Sequence, residues 1–269
     1  MDMSMNQYIL NPAMKSNAVL NATARELIKK NYQHKFDNLM LRENGKVDYY
    51  LFLEAEKNIY WVYLKVPSEV VPKFYYDVIF KFTPSSNTGY FDDIFKYNMK
   101  VYSNDPNFVF TFAYVFNKNG LFLTELTSKM SKDALTKAPE EKNPTEQISY
   151  EKAIYFAYLI MKNRGINKLG RFKAECKPLD VKFLLKNVMH ADEKVELRQE
   201  EGKKYSKSKK KNVISQTAYK AMMNNISAKD RRNMDLSASK VKVAATTKSV
   251  PTKLKKVNTI KTTKVSPKK

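Results

Sequence analysis

Lysine is the residue through which this chain could do most chemistry, and its lysines crowd toward one end. Lys203, Lys204, Lys207, Lys209, Lys210 and Lys211 fall within nine positions, followed by Arg231-Arg232 and then Lys253, Lys255 and Lys256. A flexible Lys-rich segment neutralises phosphates and releases counterions, giving salt-dependent, sequence-independent attraction to nucleic acid. Lysine acts there as a point charge. Arg231 and Arg232 are the only arginines of that stretch, which suits phosphate contact better than bidentate base readout. These eleven residues are the candidate nucleic-acid-binding set. Non-specifically held DNA is the expected partner, with RNA or an acidic protein surface as alternatives. A membrane surface fits poorly, because no aromatic anchors accompany the lysines.

Catalysis has fewer candidates. A metal-dependent nuclease needs two or three carboxylates and a lysine around a divalent ion. Asp77, Asp92-Asp93, Glu54-Ala55-Glu56-Lys57 and Glu175-Cys176-Lys177 could supply them. Glu175-x-Lys177 has the form of half a common nuclease motif, but no matching Pro-Asp pair lies upstream, and in so charged a chain surface charge is the commoner source of such triplets. Cys176 has no His or Asn placed near it for nucleophilic work. His34 and His190 are too few and too far apart for most His-based metal sites. None of the six glycines forms a dinucleotide fingerprint or a phosphate loop. The expectation is a protein without catalytic residues, metal or cofactor. Tyr49, Tyr50, Tyr60, Tyr63, Tyr75, Tyr76, Tyr97 and Tyr102, several beside Lys65, Lys73, Lys96 or Lys100, could make a stacking platform for single strands. Packing within a sheet is the commoner use of such rings.

The whole chain has 269 residues and a formal charge of +22. Residues 201–269 hold 20 basic and 3 acidic residues, leaving 29 against 24 for the first 200. Of 33 aromatic residues only Tyr205 and Tyr219 fall in that last part. The body is therefore aromatic-rich and nearly balanced, and the tail is basic and aromatic-poor. One cysteine excludes an intramolecular disulfide framework. There is no run of 18 apolar residues and no secretory signal at the N-terminus, so no membrane role and synthesis in a reducing cytoplasm are expected.

The elements that must position these groups follow from pattern. Residues 1–15 read as an extended arm. Ser16 or Asn17 can cap a helix to about Lys30. The Asn44-Gly45 turn opens a β-rich region: Val47–Glu54, a hairpin loop at Lys57-Asn58, Ile59–Val66, Phe74–Phe82 and Tyr97–Tyr102. Phe108–Phe116 is apolar on both faces, as in a central strand. Leu121–Leu126 completes an antiparallel meander of about six strands. Ser128 or Ser131 then starts a short helix, and Ser149 caps another to Arg164, which Gly165 stops. Gly170–Lys177 is ambiguous. Pro178 and Asp180 introduce a last helix, continuing to about Glu200. The expected fold class is α+β, with a globular domain over residues 16–200. Residues 201–269 cannot bury enough apolar surface to offset chain entropy, so a largely disordered tail is expected.

Two resemblances bear on function. Ser103-Asn104-Asp105-Pro106-Asn107-Phe108-Val109-Phe110-Thr111-Phe112-Ala113-Tyr114-Val115-Phe116-Asn117-Lys118 resembles a family of uncharacterised proteins of tailed phages that infect low-GC Gram-positive bacteria. Lys142-Asn143-Pro144 and Tyr150-Glu151-Lys152-Ala153 extend the likeness, which covers about the middle third of the chain. It implies phage origin, with a virion or a replication-related role left open; other phage structural proteins are the expected protein partners, in the virion or the host cytoplasm. It carries no chemistry onto any residue. The order helix, meander, helices is also similar to the ubiquitin-conjugating fold, and Asp105-Pro106-Asn107 is similar to that family's His-Pro-Asn. No cysteine follows where that activity needs one, so only architecture is shared. The leading expectation is a non-catalytic phage structural or virion-associated protein that docks to partner proteins and holds DNA by its tail. A replication or recombination accessory factor, or a nuclease, are the alternatives.

Overall fold

A computed structural model describes residues 2–10, 22–84 and 91–212. The chain divides into two units, Met1–Ser208 and Lys209–Lys269. The first is α+β, built on a mixed five-stranded sheet with flanking helices. The strands are β1 (Tyr49–Glu54), β2 (Ile59–Pro67), β3 (Tyr75–Thr83), β4 (Asn98–Ser103) and a two-residue β5 (Lys177–Pro178). Their order is β4-β3-β2-β1-β5. β1 to β4 pair antiparallel, and β5 pairs parallel to β1 at Phe52↔Lys177 and Leu53↔Pro178.

The four long strands are where alternation and β-branched or aromatic content place them. Glu54 pairs with Ile59, so the first hairpin loop has four residues rather than two. Ala55–Lys57 makes a 3₁₀ turn, and Asn58 closes it in the left-handed region at φ 51°. β2 is the strand buried on both faces: Lys65 is its single half-exposed residue.

Phe108–Phe116 is not a strand. Residues Phe108–Phe112 form a π-helical turn that runs into an α-helix over Ala113–Lys118. Asp105 starts it, accepting from the Asn107 backbone N–H at 2.8 Å, and Pro106 sits where a helix tolerates a missing N–H. A short run that is apolar on every side suits a buried helix as well as a buried strand, so periodicity could not separate them. Phe108, Val109, Phe112, Val115 and Phe116 are buried, whereas Phe110 is 50% exposed. Leu121–Leu126 is also not a strand. Phe122 makes one parallel bridge to Val101, and Thr124–Lys129 is 3₁₀-helical. The sheet therefore lacks the sixth strand and is not purely antiparallel.

Taking the helices in chain order, α1 spans Met5–Leu10, α2 Ala22–Arg42, α3 Ala113–Lys118, α4 Lys132–Thr136, α5 Lys152–Asn163, α6 Leu169–Glu175, α7 Val181–Asn187 and α8 Ala191–Asn212. Of the expected extended arm, Met5–Leu10 is helical instead, with Met3, Met5 and Tyr8 buried, while Met3 and Ser4 stay extended and pair with the edge of β4; residues 11–15 lie outside the described residues. α2 continues past Lys30 through Phe36 and Leu39, which are buried, and ends at Asn44 and Gly45 with positive φ. Residues 16–21, where its cap was expected, lie outside the described residues. α5 packs on β2 and β3, with α2 behind it. Glu151, not Ser149, caps α5, accepting from Ile154 N at 2.8 Å; the Ser149 carbonyl is held by the Tyr8 hydroxyl. Ser131 and Asp180 cap α4 and α7 as expected. The ambiguous Gly170–Lys177 stretch becomes most of α6 and the start of β5. The last expected helix is divided at Val188–His190 into α7 and α8.

Candidate nucleic-acid interface

α8 carries the first part of the candidate set. It docks through one side. Ala191 and Val195 are buried, Leu197 packs on the cluster of Val71, Phe74 and Tyr76, and Lys194 lays its ammonium 4.6 Å from the Phe74 ring centre. Arg198 Nε donates to the Tyr76 hydroxyl at 3.1 Å, and a Cβ placed on Gly202 would stand 4.0 Å from Val71. Gly202 thus has room for a side chain and does not break the helix, and the expected start of the tail lies inside a continuous helix.

The other side of α8 is basic. Lys203 and Lys204 are exposed, and Lys204 pairs with Glu201 at 2.7 Å. At 3.6 residues per turn, positions 203 and 204 lie about 100° apart, turned away from the docked side. The docked positions 194, 198, 202 and 205 centre on the opposite side of the helix. The side chains of Lys207, Lys209, Lys210 and Lys211 lie outside the described residues. Arg231, Arg232, Lys253, Lys255 and Lys256 lie outside the described residues, as does the rest of the expected disordered tail. Sequence reading found the lysines and missed their helical register, although the amphipathic spacing of Ala191, Val195, Arg198, Gly202 and Tyr205 was there to be read.

The nuclease carboxylates are not brought together. Asp77 is fully buried. Its Oδ1 accepts from the Tyr63 hydroxyl at 2.9 Å and Lys65 at 2.6 Å, and its Oδ2 from Asn104 Nδ2 at 2.7 Å and Met189 N at 3.3 Å. Those bonds use the carboxylate to tie β3 to the link between α7 and α8. Burial and then the Asp77 charge push the Tyr63 hydroxyl far above the usual tyrosine range. Asp93 caps a 3₁₀ turn at Phe95, and the Asp92 carbonyl receives Leu169 N. Glu54 pairs with Lys57 at 2.5 Å. Glu175 accepts from the Tyr49 hydroxyl at 2.8 Å and Arg171 at 2.9 Å, and these two hold it below the usual carboxylate range. Among the described residues no group of three His, Cys, Asp or Glu side chains could hold a metal ion. Burial pushes the Cys176 thiol up, away from an activated thiolate.

The strand tyrosines mostly serve packing. Tyr60, Tyr63, Tyr76, Tyr97 and Tyr102 are buried, and Tyr60 stacks on Tyr97 at 5.6 Å. Tyr49 and Tyr75 are half-buried; Tyr50 alone of the eight is exposed.

One cluster escaped the sequence. Asp105 and Glu151 are both buried and cap neighbouring helical segments. Burial, and after it the nearby Asp105 charge, raises Glu151 to about 8, so its carboxyl holds a proton at neutral pH. Its Oε1 is buried with no hydrogen-bond partner among the described residues. Beside it, Lys152 bonds Glu69 at 3.0 Å, which also receives Lys35 at 3.2 Å. The signal was an acid just before an apolar run, twice: Asp105-Pro106 and Glu151. No helix among the described residues is long and apolar enough to cross a membrane. No protein-family model, curated protein or solved structure matches this chain.

Proposed function

We propose that this chain is a non-catalytic DNA-associated protein in which the folded unit presents a basic helix to the phosphate backbone. The observation that carries this reading is the two-sided α8: it docks by one side through Ala191, Val195, Leu197 and Arg198 and exposes Lys203 and Lys204 on the other. Lysines spaced along a helix meet phosphates with less entropy to lose than the same lysines on a free chain. The acids that could have served hydrolysis are engaged elsewhere, Asp77 with its four donors and Glu175 with Tyr49 and Arg171, which favours binding. The resemblance of residues 103–118 to phage proteins supports a virion or virion-associated setting, with the folded unit docking to other structural proteins.

The test replaces Lys203, Lys204, Lys207, Lys210 and Lys211 with Glu in the full chain and measures duplex DNA binding against salt. Wild type should bind without sequence preference, with a log–log slope of about −0.9 per phosphate contacted. The variant should lose roughly a hundredfold or more at about 50 mM salt and flatten the slope by about 4. A second variant reverses the same number of lysines further along the chain, at Lys240, Lys242, Lys248, Lys253 and Lys255. It should lose distinctly less. Equal losses would reduce α8 to net charge, and no loss in either would remove nucleic acid as the partner.

A further inference from the structure

A second cationic region lies within the folded unit, and it is built around an exposed ring. Residues 164–186 hold seven basic residues against Glu175 and Asp180, leaving 22 basic and 22 acidic for the other residues of 1–200. The body's whole net charge of +5 is therefore concentrated in 23 consecutive positions. Those positions run through α6, β5 and α7, alongside β1. β5 covers only Phe52 and Leu53 of that edge strand. Between Tyr49–Phe52, the β5 turn and α7 opens a cleft of about 590 Å³, within the range of small-ligand sites.

Its walls are aromatic. Tyr50 is 39% exposed, and its ring is braced at 5.4 Å by Tyr63 and at 5.3 Å by Phe183. Tyr49 stands next to it with the Arg164 guanidinium 5.3 Å from its ring centre. Lys177 lines the cleft and is exposed. The two acids present are already engaged. Glu175 is bonded by Tyr49 and Arg171, and Asp180 accepts from Phe183 N at 2.9 Å as the cap of α7. Among the lining residues Lys177 is the one cation, and with the braced, exposed Tyr50 ring it supplies the two parts of a site for an unstacked base with its phosphate.

From this we infer that the cleft binds single-stranded nucleic acid, one base stacking on Tyr50 and the adjoining phosphate meeting Lys177. The site does not rest on the reading of α8, since none of its residues belongs to that helix. An acidic peptide added along the open β1 edge would use the same charge but has no need of the Tyr50 ring.

The probe is oligothymidylate of about ten nucleotides with the full-length protein, and poly-glutamate as the acidic-peptide control. A Tyr50→Trp variant should lose fluorescence when the oligonucleotide binds, and lose none with duplex DNA of equal length or with poly-glutamate. Tyr50→Ala should weaken oligothymidylate binding roughly tenfold with little change in salt slope, as one stack contributes. Tyr50→Phe, which keeps the ring, should bind as wild type and guards against a folding artefact. Lys177→Gln should flatten the slope by about 0.7, the single-strand value for one phosphate. When Tyr50→Trp is combined with the five-lysine α8 variant, oligothymidylate should still quench the fluorescence even where duplex binding is gone. Unchanged oligothymidylate affinity in both Tyr50→Ala and Lys177→Gln would overturn the site. So would poly-glutamate binding as tightly, with the same dependence on Lys177 and none on Tyr50.

Discussion

The two cationic regions of this molecule differ in what surrounds their charge. α8 offers lysines on a helix face without an exposed ring among its described residues; residues 164–186 offer fewer charges around a braced tyrosine. Charge alone acts at a distance and weakens with salt, because exposed charges are screened beyond about 8–10 Å at physiological ionic strength. A stacked ring acts only on contact and hardly senses salt. On the two proposals above, one region gathers a polyanion and the other holds one exposed base. The difference teaches that net charge, read alone, would merge two separable surfaces.

The largest effect that could break this comparison is loss of the fold. Phe112 is 7% exposed within the apolar helix turn. Phe112→Asp buries an unpaired charge, which costs several kcal/mol, comparable to the whole stability of a domain at about 5–15 kcal/mol. Circular dichroism should show an unfolded domain. Oligothymidylate binding that depends on Tyr50 should vanish with it, while duplex attraction by the lysines persists in part. Phe110→Asp, on the half-exposed ring, should cost only about 1 kcal/mol. If both variants fold, the packing described for this segment is wrong. If Tyr50 still matters in an unfolded chain, the cleft is not a site.

A smaller effect separates folding from binding by pH. Glu151 has a folded-state value raised above its unfolded one, so the neutral carboxyl favours the fold. That contribution is complete below about 4.5 and is lost as pH rises through about 8. Thermal melts from about pH 6 to pH 9 should therefore fall for wild type and fall less for Glu151→Gln, which keeps an acceptor for Ile154 N without a charge. Binding to the cleft should accordingly track the melting curve, whereas duplex attraction should not. Parallel curves for the two proteins would remove Glu151 as the cause.

The smallest effect sharpens the comparison most. Asn caps a helix about as well as Asp, so Asp180→Asn should change stability by no more than about 0.5 kcal/mol. It removes one negative charge from the cleft wall. Oligothymidylate affinity should rise by a few-fold, and duplex binding through α8 should stay unchanged. A rise in both would mean that the two surfaces act as one.

Much of the scaffold was legible in order. Alternating strands at β1 to β4 and the caps at Ser131 and Asp180 are local facts, set by side chains within a few residues of each other. The misses were non-local. Phe108–Phe116 carries apolar residues on every side although Phe110 is half exposed, so its pattern shows no period and only the packing of Phe108, Phe112, Val115 and Phe116 selects helix over strand. β5 is two residues long and exists because Leu53 O receives Leu179 N across the fold. Of the candidate residues, Lys203 and Lys204 were read correctly as exposed cations, but Asp77 was a metal candidate until its four donors were visible. Tyr50 could not be told from its buried neighbours.

The sequence by itself determined the charge imbalance, the single cysteine, the strand-forming body and the concentration of lysine after residue 202, because composition and local pattern need no partner to be read. Only the tertiary structure decided that Asp77 is a latch, that Glu151 keeps its proton, that α8 docks by one side and exposes Lys203 and Lys204 on another, and that Tyr50 stands in a cleft beside Lys177. Each of those depends on groups brought together from distant parts of the chain, where burial and a neighbour's charge, not residue type, set what a side chain can do.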